Sequence, residues 1–177
     1  MKNVRNLVMC ALCIALGLVL PLAFHAVPNA GQIFLPMHIP VLLSGLICGP
    51  LFGLICGALT PLLSSLMTGM PGAAILPGMM CELATYGLVG GLLARLDIKP
   101  RAAGIYVSLV GAMLCGRLVA GALNALIFRA GSYSLAMWVS ASFVTALPGI
   151  VIQLIAIPLV VAALERAHVI PAGRAAE

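Results

Sequence analysis

Residues 78–96 read GMMCELATYGLVGGLLARL, and this stretch decides the fold. As an α-helix it would be about 28 Å long, which is enough to cross the hydrocarbon core of a bilayer. Glu82 lies inside it, and a carboxylate at such a position costs several kcal/mol unless it has a partner. The stretch therefore predicts a membrane helix with a functional carboxylate, whose partner must come from another apolar segment.

The composition of the whole chain indicates an integral membrane protein. Its 177 residues are 63% hydrophobic and 7% charged, whereas an average soluble domain is about 25% charged. We therefore predict a single membrane domain over residues 1–177, surrounded by the lipid bilayer and without a soluble module. The net charge of +5 does not predict nucleic-acid binding, because the basic residues lie between apolar segments and form no stripe with interleaved aromatic residues.

Six apolar segments predict an all-α integral membrane protein with six transmembrane helices. Their predicted bounds are about 5–24, 36–49, 51–68, 77–96, 102–128 and 135–165. The first segment has a charged start like that of a signal peptide. It is longer than the usual h-region and no clear cleavage site follows, so we expect it to remain as the first helix. Pro148 and Pro158 predict a kink in the last helix.

The segments 36–49 and 51–68 are short for full spans, and Gly49-Pro50 between them predicts a tight turn. Three arrangements fit: two short helices, a second helix that begins within the preceding loop, or a pair that enters the membrane and returns. We favour two short helices, because the chain then has six spans and both termini lie on the same side of the membrane. Glycines recur here at every fourth residue from Gly45 to Gly57, which predicts close approach of helix backbones.

The distribution of lysine and arginine predicts the orientation in the membrane. One side carries only Arg129, and the other side carries seven basic residues, namely Lys2, Arg5, Arg95, Lys99, Arg101, Arg166 and Arg174. The positive-inside rule then predicts that both termini are cytoplasmic. The loops 25–36, 68–77 and 129–134 are expected outside. We expect the first of them to be non-helical and to act as a lid or binding loop.

Glu82 and Arg117 are predicted to lie at a similar depth in the outer leaflet. Glu82 is about 6 Å from the outer end of its helix, and Arg117 is about 22 Å from the inner end of its own, at 1.5 Å per residue. If the two helices are neighbours, the two charges can meet. Two interpretations stay open: an ion pair that only orients the helices, or a pair that is separated by a polar substrate or shared with it.

Further polar and aromatic residues in the outer half complete a predicted pocket. Asn124 lies seven residues after Arg117, and Tyr86 lies four residues after Glu82, so each pair shares a helix face. Trp138 could also belong to an aromatic belt and His38 to the interface, and Gln153 is deeper, where helix packing is expected. The candidate substrate-binding residues are Glu82, Arg117, Asn124, His38, Tyr86, Trp138, Asn29 and Gln32.

The sequence offers little for catalysis, metals or cofactors. It has no HExxH, Gly-x-Ser-x-Gly or phosphate-binding motif, and its four acidic residues are scattered. The six cysteines lie in or beside apolar segments, where we expect packing and neither disulfides nor zinc. We predict no enzyme, no cofactor and no metal site. A small ion-coupled carrier or exporter that uses Glu82 is the alternative, and Arg117 disfavours it because a nearby cation stabilises the ionised carboxylate.

The sequence resembles the substrate-binding S components of energy-coupling factor (ECF) transporters. Three parts carry the resemblance: Ala11–Ala15 (ALCIA) with the A-x-x-x-A pattern of the first helix, residues 36–69 (PMHIPVLLSGLICGPLFGLICGALTPLLSSLMTG), and residues 82–91 (ELATYGLVGG). The resemblance implies a high-affinity receptor for a small water-soluble vitamin or related metabolite in the bacterial cytoplasmic membrane. It also implies a membrane coupling subunit and two ATPase subunits as partners, with Ala11 and Ala15 on the docking face.

The substrate itself stays open. The resemblance implies a site between the first outer loop and the outer ends of helices four to six, where the predicted polar residues lie. A carboxylate, a guanidinium, an amide and an imidazole suit a compact polar heteroaromatic, such as a B6-type or pyrimidine vitamin precursor. A pantothenate-like acid could use Arg117.

Overall fold

The computed structural model describes residues 2–23, 29–96 and 98–170, and in these ranges it contains helices and no strand. Two π-helical segments, Asn124–Phe128 and Ser140–Thr145, continue the α-helices that end at Leu123 and Val139. Residues 25–28 of the predicted first loop and the tail after residue 170 lie outside the described residues. The α-helices are α1 Lys2–Ala23, α2 Ala30–Phe34, α3 His38–Cys48, α4 Pro50–Thr68, α5 Leu76–Leu93, α6 Arg101–Leu123, α7 Leu135–Val139 and α8 Leu147–Arg166.

Six helical stretches in the described part of the chain are long and apolar enough to cross a membrane. This confirms the predicted all-α membrane fold with six spanning helices. The stretches are Val4–Ala23, Ala30–Cys48, Pro50–Thr68, Leu76–Leu93, Arg101–Phe128 and Leu147–Arg166.

The prediction that the first loop is non-helical is wrong over Ala30–Phe34, which forms α2. The chain enters α2 from Asn29, whose backbone is left-handed with φ 58°, and the carbonyl of Asn29 accepts hydrogen bonds from the next turn of backbone. Gly149 of α8 leaves room for α2, since a Cβ there would lie 2.8 Å from the carbonyl oxygen of Ile33. Because this support comes from a distant helix, the local sequence could not indicate it.

The predicted helix 135–165 is divided in the structure into α7, its π-helical continuation and α8. The division falls at Ala146, two residues before the first proline, Pro148. Pro148 lies in the first turn of α8, where its missing N–H would have no helical partner anyway. Pro158 lies inside α8, which continues through it to Arg166.

Helix α3 forms the centre of the bundle, and ten of its eleven residues are buried. It packs against α1, α4, α5 and α8. Glycines allow the closest of the helix contacts: a Cβ at Gly45 would lie 2.5 Å from the carbonyl oxygen of Gly87, and one at Gly91 would lie 2.5 Å from the nitrogen of Pro50. The predicted close approach of glycine-rich helices is thereby confirmed.

The two ends of the bundle carry different groups. The loops predicted to share one side do so, because residues from all three line a single cavity. We call this the cavity end. At the opposite end, the Arg101 guanidinium of α6 lies 2.9 Å from the Glu165 carboxylate of α8. Large apolar side chains are exposed along α1, α6 and α8 between the two ends, as expected of helices that face lipid.

Candidate functional site

A cavity of about 500 Å³ lies at the cavity end. This volume is typical of sites that hold a small organic molecule. Its walls come from α1 to α7 and from the loops between these helices. Seven of the eight residues predicted to bind substrate line it, namely Asn29, Gln32, His38, Glu82, Arg117, Asn124 and Trp138.

Glu82 and Arg117 meet at the base of this cavity. The Nε atom of Arg117 lies 3.9 Å from Oε1 of Glu82, which confirms that the two charges occupy the same depth. The arginine side chain is only 4% exposed and the glutamate side chain 23%. The distance is too long for a direct hydrogen bond, so the pair is loose and retains capacity to bind a polar group.

The hydroxyl of Tyr86 bridges this ion pair from behind. It accepts a hydrogen bond from Nε of Arg117 at 3.0 Å and donates one to Oε1 of Glu82 at 3.1 Å. The side chain is fully buried, and Tyr86 is absent from the lining of the cavity among the described residues. Tyr86 was predicted to belong to the pocket with Glu82; the structure instead places its hydroxyl behind the lining, in hydrogen-bond contact with both charges. Gly116 of α6 makes room for its ring, with which a Cβ would collide.

Aromatic side chains hold Arg117 from the other side. Its guanidinium carbon lies 5.3 Å from the centroid of the Phe143 ring, in a cation–π arrangement. The indole Nε1 of Trp138 donates a hydrogen bond to the Arg117 carbonyl oxygen at 3.0 Å. The two rings pack edge to face with their centroids 5.4 Å apart. Gly121 permits this approach, because a Cβ there would lie 2.5 Å from the indole nitrogen.

His38 and Asn124 add further polar groups to the lining. His38 is 3% exposed, and its Nδ1 atom has no hydrogen-bond partner among the described residues. Leaving such a group unpaired is costly, so it is suited to a ligand or a water molecule. The amide nitrogen of Asn124 donates to the Ala120 carbonyl at 2.8 Å, and Gly78 of α5 gives this amide its space.

Residues 5–161 match a protein family described as "ECF transporter, substrate-specific component". The chain belongs to this family. A search of curated proteins found no match. The protein is thus an S component: a multi-pass membrane protein that serves as the substrate-specific module of an ECF transporter and assembles with its membrane and ATPase subunits. The resemblance predicted from the sequence is confirmed, and the family consists of transport components, not enzymes.

Sequence reasoning missed several residues of this S component that line the cavity or contact Arg117. Phe143 lies five residues after Trp138, a spacing that fits a π-helical turn and not an ordinary α-helix. Arg129 was predicted only to mark the outer side of the membrane, yet it lines the cavity together with Tyr133. Ser64 lines it too and donates a hydrogen bond at 2.7 Å to the carbonyl of Met70 in the loop after α4.

Both π-helical segments of the S component lie beside the cavity. In the first, the backbone N–H of Arg129 donates to the carbonyl of Asn124 at 2.8 Å, across five residues. This wide turn brings both side chains to the cavity wall. The second segment places Ser142 in the lining and Phe143 against Arg117. Such π-helical turns often occur at functional sites.

The remaining predicted residues lie away from the cavity. Ala11 and Ala15 are exposed on α1, on a face rich in exposed apolar side chains. Gln153 is fully buried in α8, and neither of its amide atoms has a hydrogen-bond partner among the described residues. The six cysteines are free thiols. No group of three or more potential metal ligands occurs in the ranges that the structure describes.

Proposed function

We propose that this S component is a high-affinity receptor that captures a small water-soluble vitamin or related metabolite outside the cell. It delivers the molecule through an ATP-driven complex with a membrane coupling subunit and two ATPase subunits. The observation that supports this function best is the loose Glu82–Arg117 pair at the base of a cavity of about 500 Å³. A pair that only joined two helices would not need a ligand-sized cavity above it.

Each lining residue has a role that its position supports. Glu82 and Arg117 bind the polar end of the substrate, and Tyr86 holds these two charges in register. Trp138 offers an aromatic surface, and His38 offers its unpaired Nδ1 atom. The substrate also contacts Asn124 at the end of α6 and Asn29 and Gln32 at the start of the second span.

The proposed orientation places the cavity outside and both termini in the cytoplasm of a bacterial cell. It rests on the seven basic residues on one side and the single Arg129 on the other. The polar residues of the lining lie together at one end of the bundle. A carrier or channel needs a polar path across the membrane, so this arrangement suits a receptor better. Ala11 and Ala15 would contact the coupling subunit, because small side chains permit close helix packing.

Substitution of the ion pair tests the receptor function. We expect Arg117→Ala and Glu82→Ala each to weaken substrate binding at least tenfold, which corresponds to about 1.4 kcal/mol. The protein is purified in lipid nanodiscs, the co-purifying small molecule is identified by mass spectrometry, and its dissociation constant is measured. Trp138 is the only tryptophan of the chain and lines the cavity, so its fluorescence reports binding.

Arg95→Ala is the matched control, because Arg95 is exposed and does not line the cavity. Size-exclusion profiles and thermal melts separate loss of binding from loss of folding. Folded variants at Glu82 and Arg117 that bind as tightly as the wild type would mean that the pair is structural. Proton-coupled transport by the chain alone in liposomes would refute the receptor function in favour of a carrier.

A further inference from the structure

Arg129 lies beside the cavity in the segment after α6, and two contacts fix its position. Its backbone N–H is held by the carbonyl of Asn124 at 2.8 Å. Its guanidinium carbon lies 5.6 Å from the centroid of the Tyr133 ring. Both Arg129 and Tyr133 line the cavity. A stacked arginine loses less freedom when it binds an anion than one that extends freely into water.

The charges that line the cavity do not cancel. Two arginines and one glutamate are present among the described lining residues. Glu82 lies 3.9 Å from Arg117 and offsets its charge. The other glutamate in the described ranges, Glu165, pairs with Arg101 at the opposite end. Within these ranges Arg129 therefore has no carboxylate at ion-pair distance, and the cavity carries a net charge of one positive unit.

The charges of Glu82 and Arg129 both act on Tyr133. Burial raises the pKa of its hydroxyl above the usual value, the charge of Glu82 raises it further, and the charge of Arg129 lowers it. Glu82, Arg129 and Tyr133 all line this one cavity, and Arg129 lies over the Tyr133 ring. One small molecule could contact the base and the loop at the same time.

We propose that the substrate of this S component is an anion, with one carboxylate or phosphate group that binds Arg129. Its other end is polar and binds between Glu82 and Arg117. The planar guanidinium fits the two oxygens of a carboxylate or phosphate, and a cleft with weakly polar walls concentrates ions of the opposite sign. This inference rests on the proposed receptor function and narrows its substrate class.

The first experiment measures the potential of the cavity without knowledge of the substrate. Iodide, caesium and neutral acrylamide quench the fluorescence of the single tryptophan, Trp138, in nanodiscs of phosphatidylcholine. We expect iodide to quench more strongly than caesium relative to acrylamide, and Arg129→Gln to lower the iodide-to-caesium ratio at least twofold. Arg129→Lys should retain the ratio, and the control Arg95→Gln should not change it. An equal ratio in wild type and Arg129→Gln would overturn the proposal.

The same quenching measurement is repeated in nanodiscs that also contain phosphatidylglycerol. The comparison distinguishes a substrate from a lipid headgroup, which offers the same phosphate chemistry. If Arg129→Gln changes the quenching ratio only in discs that contain phosphatidylglycerol, Arg129 binds the lipid headgroup and the substrate proposal fails. If the change also occurs in phosphatidylcholine alone, the positive potential belongs to the cavity. This outcome supports an anionic substrate.

The second experiment identifies the charge of the molecule that co-purifies. We expect mass spectrometry to find a carboxylate or phosphate group in it, and we expect Arg129→Gln to raise its dissociation constant at least tenfold. A neutral or cationic ligand would overturn the proposal. If Arg117→Ala weakens binding and Arg129→Gln does not, the anion assignment fails and the receptor function stands. If neither substitution weakens binding, the receptor site itself is misplaced.

Discussion

Replacement of Tyr86 by phenylalanine removes one oxygen atom from behind the candidate site and nothing from its lining. The hydroxyl lies 3.0 Å from Nε of Arg117 and 3.1 Å from Oε1 of Glu82. The ring would stay in place, because it packs edge to face against His38 with the centroids 5.4 Å apart. Any change in substrate binding would then come from the two charges that the hydroxyl positions.

The size of the effect follows from these two hydrogen bonds. Each joins the hydroxyl to a charged group, and such bonds contribute about 1.5–3 kcal/mol. The charges are already 3.9 Å apart, so they can approach each other once the hydroxyl is gone and recover part of the loss. We expect about 1–2 kcal/mol to appear as weaker substrate binding, which raises the dissociation constant about 5- to 30-fold.

The assay compares the fluorescence of Trp138 during titration with the co-purifying molecule in the wild type, Tyr86→Phe and Tyr106→Phe. The last variant is the matched control, because Tyr106 is 44% exposed on α6 and is not part of the lining. Thermal melts monitor folding in parallel. Equal dissociation constants for the two phenylalanine variants would refute the positioning role and with it the coupling of Tyr86 to the ion pair.

Two further predictions test packing and assembly. Gly87→Ala should lower the melting temperature by about 5 °C or more, since its Cβ would collide with the Gly53 backbone. The control Gly72→Ala should leave the melting temperature unchanged, because a Cβ at Gly72 would have no other atom within 4 Å. Ala11→Trp should prevent co-purification of the partner subunits while equilibrium dialysis shows unchanged substrate binding, and Leu114→Trp on the exposed face of α6 is its control. Loss of both properties in Ala11→Trp would contradict separate docking and binding surfaces.

Depth in the membrane was predictable because it depends only on counting residues. An α-helix rises by a constant amount per residue, so the bounds of two apolar segments were enough to place Glu82 and Arg117 at one level. The structure finds them 3.9 Å apart. The glycine spacing in α3 and α4 was equally readable, since small residues at every fourth position form a continuous face on a helix.

The role of Tyr86 could not be predicted from its spacing. Four residues after Glu82, it shares that residue's helix face, and the same face can look into a cavity or towards a neighbouring helix. The choice depends on Gly116 of α6, which leaves room for the phenol ring. A glycine on another helix gives no signal in the local sequence of α5, so the sequence could not separate the two outcomes.

Arg129 shows a different limit of sequence reasoning. The positive-inside rule counts charges on each side, and on that count Arg129 is the single exception to a clear pattern. The positive-inside rule does not say why a single arginine lies on the other side. In the structure the π-helical turn that begins at Asn124 brings Arg129 to the cavity.

The contacts of Arg117 connect the ion pair at the base of the cavity to the aromatic pair in its wall. Its backbone carbonyl is fixed by the Trp138 indole, and its guanidinium is packed on Phe143 and bonded to Tyr86. A substrate group that displaces the guanidinium must therefore also disturb the aromatic pair, whose rings are in edge-to-face contact. Because Trp138 belongs to this pair, its fluorescence should respond even to a ligand that touches only the ion pair. A substrate bound by Arg117 that leaves the Trp138 signal unchanged would show that the arginine and the aromatic pair move independently.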